Sequence, residues 1–385
     1  MSSNPKPALR ATDLAAAITL ADRQQTLGDH GAAAALYRLV LSHIPTYVDA
    51  RAKLARALFC LQEWDEAWPA FDVRFSLMAG PPKVTARNRD GSPRPLARHT
   101  QGPLPRKLLV MSEQGMGDTI QFCRFLPRLV QAGVDLQVVA PQRLFGLLRT
   151  LDPSPALLPS EIPGAVSQVE AWTTMMDLPH ALGLQTPDYG APEPYLRADP
   201  QRVARWRETL GGQDGPLIGI VWRGNPEHKG DAERSGKLTD LAPLAAIPGV
   251  RLVCLQYDAT EDEIAACGFA EKIIRPGPDF DAGPDAFVDS AAILTLLDRL
   301  VCVDTSLGHL AGALHCPVEL LLAQDWADWR WLDLAQTNIW YPKTRLWRRA
   351  KTQAHSEPWA DVVERIAAAI VSERAKPLAK ARSSA

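Results

Sequence analysis

Between residues 13 and 78 apolar side chains return every three to four positions, in four stretches long enough for short amphipathic helices. The pattern then stops. From Gly80 to Arg106 the chain is rich in Pro, Gly and Arg and has no apolar period, so residues 81–105 read as a linker. Beyond it, apolar runs of strand length alternate with helical patterns: LLVMS at 108–112, LQVVA at 136–140, LIGIVW at 217–222, RLVCLQ at 251–256, LVCVD at 300–304 and VELLL at 318–322. Continuous apolar runs suit parallel strands covered on both faces. A polar break between Arg197 and Trp206 divides the alternating region into two doubly wound halves, 106–205 and 206–373. Residues 374–385 read as a disordered basic tail.

Displacing the first segment by about 34 residues, the tetratricopeptide period, aligns Leu20 with Leu54, Ala21 with Ala55, Leu27 with Leu61, Ala33 with Ala67 and Tyr37 with Phe71. Small residues at these places allow helices to approach, and the aromatic fills the gap between them. Pro45 predicts the end of the second helix, because it has no N–H to donate. Residues 1–80 therefore read as tetratricopeptide-repeat helices that recognise a protein partner, attached to the body through the linker and dispensable for its folding. The opposing possibility is that two repeats, too few for a core of their own, pack on the body.

With 385 residues the chain is long enough for two or three domains, and its 46% hydrophobic content supports sizeable cores. A net charge of −2 gives no overall attraction to a nucleic-acid backbone. No run approaches the roughly 18 apolar residues of a spanning helix, and the N-terminus lacks the apolar core of a signal peptide, so a cytoplasmic location is expected. Six scattered cysteines, none in C-x-x-C spacing, suggest neither a disulfide framework nor a zinc site, and no metal ligands are expected.

In open parallel sheets ligands bind beyond the carboxyl ends of the strands, and three such ends carry chemistry. After LLVMS comes EQGMGDTIQFCRFLP. Gly115 and Gly117 let the backbone turn and a ligand approach, and Asp118 at the helix start is either an N-terminal cap or a general base. A dinucleotide fingerprint fails because Ile120 stands where its third glycine belongs. After LIGIVW, Asn225, His228, Lys229, Arg234 and Ser235 collect the donors that a diphosphate requires, although Glu227, Asp231 and Glu233 partly neutralise them. After LVCVD, Asp304, Thr305, Ser306, Gly308 and His309 open an Ala/Leu-rich helix whose free N–H groups and dipole favour an anion. His309 and His315 have no metal-ligand spacing with an acidic partner and read as polar or packing groups.

Four segments in order behind the repeat, EQGMGDTIQFCRFLP, GNPEHK followed by RS, VDTSLGHLAGAL, and DWRW with WYP, resemble bacterial glycosyltransferases of the heptosyltransferase type, glycosyltransferase family 9, in particular those with N-terminal tetratricopeptide repeats. The resemblance runs from about Leu108 to Trp359. It implies a GT-B fold of two Rossmann-like halves, the first for the acceptor and the second for a sugar nucleotide, with no required divalent metal and no cofactor beyond the donor substrate. It implies that Asp118 is the base, that 225–235 is the phosphate loop and that 304–309 is the diphosphate turn. Arg223, Gly230 and Asp177 depart from the usual Ser, Asn and Ser, which leaves donor and acceptor open. The resulting expectation is an inverting, metal-independent transfer of a hexosyl, heptosyl or related sugar to a protein, as in similarly laid-out flagellin-modifying proteins, or to a glycolipid. The competing classes are a catalytically idle scaffold or binding protein and, less suited to the repeats, a nucleotide-sugar epimerase.

Overall fold

A computed structural model describes residues 10–77, 84–87, 90, 92–160, 166–167, 169–211, 215–227, 230–323, 328–331, 338–350 and 357–375. Four helices open the chain, α1 (Ala11–Thr26), α2 (His30–His43), α3 (Val48–Leu61) and α4 (Trp64–Phe71), each packed on the next. Asp29 caps α2 by accepting from the Ala32 N–H at 3.0 Å, and α2 stops two residues before Pro45. Ala21, Ala33, Ala55 and Ala67 are fully or almost fully buried where helices touch. Tyr37 fills the space among them and donates its hydroxyl to Asp22 at 2.6 Å.

The two halves that follow are parallel sheets. The first has the order β3-β8-β4-β5-β6, with β3 (Ala97–Arg98), β4 (Lys107–Met111), β5 (Asp135–Ala140), β6 (Ala156–Pro159) and β8 (Ala171–Thr174). The second has the order β11-β10-β9-β12-β13-β14, with β9 (Leu217–Val221), β10 (Arg251–Cys254), β11 (Ile273–Ile274), β12 (Arg299–Val303), β13 (Val318–Leu322) and β14 (Thr344–Arg348). In the second sheet the chain works outward from β9 on one side and then returns to the other side at β12. The crevice of a doubly wound sheet lies at that reversal. β9 and β13 are buried at every position, which explains their apolar sequences; the one charged residue, Glu319, is paired with Arg299 and Arg345. Helix α5 (Met116–Phe122), which follows β4, packs directly on helix α7 (Ser306–Ala313), which follows β12, so the carboxyl edges of the two sheets face each other.

The polar break expected near 197–206 contains a helix, α6 (Pro200–Leu210), capped by Asp199. Its buried Trp206 donates to Asp289 of the second half at 2.8 Å. The closing helix α8 (Trp359–Ala375) lays Val362, Val363, Ile366 and Ile370 on the second sheet's apolar face. Of the tail expected at 374–385, residues 374 and 375 belong to α8, and residues 376–385 lie outside the described residues.

The linker reading does not describe the segment from residue 84 onward. β1 (Thr85–Arg87) pairs with β2 (Pro93–Pro95) and with β7 (Val166–Ser167), and β3 extends the first sheet. Ala86 and Leu96 are buried with Leu109, Val169 and Trp172. Isolated apolar anchors and edge pairing hold this segment, neither of which needs an apolar period. Residues 81–83, 88–89 and 91 of the expected linker, and residues 78–80 before it, lie outside the described residues.

Nor do the helices hang free of the body. Phe59 of α3 stacks on Trp329 with centroids 3.9 Å apart and planes at 18°. Trp68 of α4 donates to the Tyr189 hydroxyl at 2.8 Å, and Trp64 donates to Thr186 at 2.9 Å. Arg74 is buried against Glu113 at 3.0 Å and Asp177 at 2.7 Å. Helical residues share one continuous apolar cluster with both halves. The opposing possibility therefore describes the packing: too small to bury its own apolar face, the helical layer buries it on the body.

Candidate active site

At the end of β4 the sharp turn falls on Gln114, whose φ of 60° is left-handed, while the backbone of Gly115 is extended. Gly115 is the N-cap of α5, and its N–H donates to Asp118 Oδ2 at 2.8 Å. Gly117 faces the other half rather than a ligand: a Cβ there would lie 3.0 Å from the His309 ring and 3.3 Å from Ser306 Cα. The close crossing of α5 and α7 thus explains Gly117. Asp118 is three residues into the turn and borders the cleft, its side chain 19% exposed. Burial raises its pKa, while Arg330 and the Gly115 N–H oppose the rise.

Across the cleft, β12 delivers Asp304, Thr305 and Ser306 to the first turn of α7. The Thr305 hydroxyl is buried and without a partner, though it borders the cleft. Beside it the unpaired N–H groups of the helix start point the same way. Burial, reinforced by nearby Asp328, pushes Asp304 up to about 6, against the opposing influence of Trp331, Arg234 and Arg330. Gly308 is buried below this turn, where an added Cβ would meet Cys302 Sγ at 3.3 Å, so it serves helix–sheet packing. His309 is also buried, in contact with the Tyr341 hydroxyl at 3.0 Å and stacked on Trp331. Burial first, and Arg330 second, hold His309 down to about 3, so its ring is neutral.

Arg234 reaches the cleft with its guanidinium braced by Asp231 at 3.0 Å and by the Asp304 carbonyl at 2.8 Å. Ser235 accepts from the Gly224 N–H and donates to Asp231, each at 2.9 Å, which shapes the loop behind Arg234. Asn225 lies at the mouth, where its side chain accepts from the Glu227 N–H at 3.1 Å. His228 and Lys229 lie outside the described residues. Of the departures from the family pattern, Arg223 is held by Glu263 at 2.6 Å and Asp258 at 3.1 Å beside the cleft. Gly230 caps the short helix Asp231–Arg234. Asp177 lies apart from the cleft and pairs with Arg74 and Arg98.

Gly115, Gly117, Asp118, Arg223, Asn225, Arg234, Asp304, Thr305, Ser306 and His309 border one cleft of about 820 Å3, while Ser235 and Gly308 lie behind its wall. Sequence reading assigned no role to the residue that ties its two walls together. Arg330 is buried, donates to Asp118 Oδ1 at 2.5 Å and to Gln121 at 2.6 Å, and forms a fork with both oxygens of Asp328 at 2.8 Å. Although burial opposes it, Arg330 holds the Asp328 carboxyl below the usual carboxylate range. An arginine between two tryptophans in DWRW was the available signal, since such a residue is rarely left to solvent. Among the described residues no group of three or more His, Cys, Asp or Glu is arranged to hold a metal ion, and no helix is long and apolar enough to cross a membrane.

No family model matches the chain. It is 28% identical to Protein FlbA of Caulobacter vibrioides over 328 residues, which cover 77% of this chain and 51% of that protein. The chain thus spans about half the length of the curated relative it matches. Among solved structures, E. coli ADP-heptose lps heptosyltransferase II is 15% identical, with a TM-score of 0.47 and coverage of 70% of this chain and 100% of that one. A glycosyl transferase family 9 structure from Veillonella parvula is 9% identical, with a TM-score of 0.48 and coverage of 71% and 98%. E. coli heptosyltransferase WaaC with ADP-2-deoxy-2-fluoro heptose is 13% identical, with a TM-score of 0.44 and coverage of 70% and 100%. At likenesses of this size, the two-sheet architecture rests on the strand order itself.

Proposed function

We propose that this protein is an inverting glycosyltransferase that moves a sugar from a nucleoside diphosphate donor to a hydroxyl of a protein or glycolipid acceptor. One observation carries the reading: a cleft-facing carboxylate on the first half, Asp118, stands opposite a set of anion-binding groups on the second, Arg234 and the Thr305–Ser306 helix start. Asp118 takes the acceptor proton as the acceptor oxygen attacks the anomeric carbon. The bond from that carbon to the diphosphate oxygen breaks, and the nucleoside diphosphate leaves with the electron pair. Arg234 and the helix N–H groups stabilise the charge that develops on the leaving oxygens. In this reading those groups, with Lys229, take the place of a divalent metal, and no cofactor beyond the donor is used. The tetratricopeptide-like layer recruits the acceptor, and the protein works in the cytoplasm.

The test is to measure binding and hydrolysis of ADP-, UDP-, GDP- and CMP-sugars by the purified protein. Saturable binding of a nucleoside diphosphate sugar, with slow hydrolysis that Asp118→Asn abolishes, is expected. Failure to bind any donor removes the reading. A second reading, a binding protein without turnover, is favoured by the engagement of both Asp118 oxygens, one by Arg330 and one by the Gly115 N–H. Donor binding with no hydrolysis and no transfer to any acceptor would support it.

A further inference from the structure

We infer that Trp329, seated on the N-terminal helices, is a positioning residue for the Arg330–Asp118 ion pair, so that the helical layer sets the state of the proposed base. The inference rests on the transferase reading only where activity is measured. Residues Trp329–Trp331 form one turn of 3₁₀ helix, closed by the Trp331 N–H on the Asp328 carbonyl at 3.0 Å. With three residues per turn, successive side chains leave such a helix in three different directions. Arg330 and Trp331 enter the two halves, while Trp329 enters the helical layer and also meets Trp340 of the second half edge-on at 5.9 Å. Trp329 stacks on Phe59 and meets Trp68 edge-on at 5.7 Å, both in the helical layer. Arg330 enters the first half at Asp118 and Gln121. Trp331 stacks on His309 of the second half at 5.3 Å and 22°.

The coupling between neighbours is direct. The Arg330 guanidinium lies over the Trp329 ring at 4.7 Å and the Phe122 ring at 5.4 Å, so a Trp329 ring that loses its stack takes away one wall of the arginine's slot. The layer also reaches the site from the other side. Glu113, one of the charges acting on Asp118, is gripped by both Arg74 nitrogens at 3.0 Å. The charged groups acting on Asp118 are thus Arg330, Asp328 and Glu113, and Arg330 is the one that favours its ionised form.

The experiment compares full-length wild type with Phe59→Leu and Phe59→Ala, using Leu14→Ala as a control. Leu14 is buried in α1 and is not one of the rings packed on Trp329. Two signals are read: amide hydrogen exchange over 116–122 and 328–331, and the acidic limb of the pH–rate profile, identified by its loss in Asp118→Asn. Removing an opposite charge from a carboxylate raises its pKa by about one unit or more. The Phe59 variants are expected to speed exchange in both segments and move the acidic limb up by about one pH unit. Leu14→Ala should lower Tm without either change. Should the Phe59 variants alter exchange and the acidic limb no more than Leu14→Ala does, the positioning role is overturned. If no donor is turned over, the transferase reading fails by itself, and the exchange measurement still decides this one.

Discussion

Arg330 and Asp118 stand 212 residues apart in the chain, yet their side chains meet at 2.5 Å across the joint between the two halves. The pairing has two effects on the carboxylate. It offsets part of the burial cost that raises the Asp118 pKa, and it fixes Oδ1 while Oδ2 is held by the Gly115 N–H. Each oxygen still has a free lone-pair direction, so the carboxylate can accept a proton without leaving its bonds.

Asp118→Asn removes the proposed proton acceptor and turns an NH2 group toward one of two donors, the Gly115 N–H or the Arg330 guanidinium. Donor affinity should stay close to wild type, while turnover falls about 10²-fold or more, as for other positioned acid–base groups. Calorimetry with the donor and a transfer assay on the same sample separate the two. Unchanged turnover in a folded variant would remove Asp118 from the chemistry.

Arg234→Gln and Thr305→Val each delete a donor that faces the cleft. Hydrogen bonds to charged groups contribute about 1.5–3 kcal/mol, so Arg234→Gln should weaken nucleoside diphosphate binding by roughly tenfold to a hundredfold. Thr305→Val should have a smaller effect and leave Tm nearly unchanged, because its hydroxyl has no protein partner to lose. EDTA should change activity little; a strict Mg2+ or Mn2+ requirement would contradict the metal-free mechanism.

His309 gives the stability a pH dependence of known sign. Its folded pKa of about 3 lies below the ordinary value, so as pH falls below about 6.5 the unfolded chain takes up a proton that the native state refuses. Stability is therefore lost progressively on acidification between those values. His309→Gln should flatten the fall of Tm between pH 7 and pH 4 relative to wild type. A wild-type Tm slope that the substitution leaves unaltered would show that His309 titrates normally.

The six apolar runs read as strands all fall on strands, most of them buried on both faces, the setting in which sequence is most explicit, while LQVVA alternates buried and half-buried positions. β8 and β14 were missed for opposite reasons. AWTT at 171–174 is four residues long and half polar, though it sits beside β4 in the sheet, and TRLWR at 344–348 alternates as an edge strand does. That Asp118, Arg234 and Thr305 border one cleft was legible, because ligands of open parallel sheets bind beyond the carboxyl ends of the strands. The roles of Gly117 and Gly308 were not legible. What limits them is the neighbouring half or the sheet beneath, which no local spacing encodes. Arg330 belongs to the same class, since its partner lies in a distant segment.

The last prediction concerns the helical layer, which the absence of apolar period in 81–105 had marked as dispensable. Trp68 is 3% exposed, lies parallel to Tyr189 at 6.5 Å, meets Phe122 edge-on at 6.3 Å, and donates to the Tyr189 hydroxyl. Trp68→Ala would open a cavity in the core shared by the helices and the first half, at a cost of about 3–5 kcal/mol. Removing residues 1–80 exposes the whole of that surface and also leaves Glu113 and Asp177 without Arg74. A chain that starts at Val84 should therefore be insoluble, or soluble with its near-ultraviolet circular dichroism lost. Adding the Phe59–Trp68 helices back as a separate peptide should restore part of the signal. A soluble truncated protein with an unchanged spectrum and a cooperative thermal transition would show instead that the body folds alone.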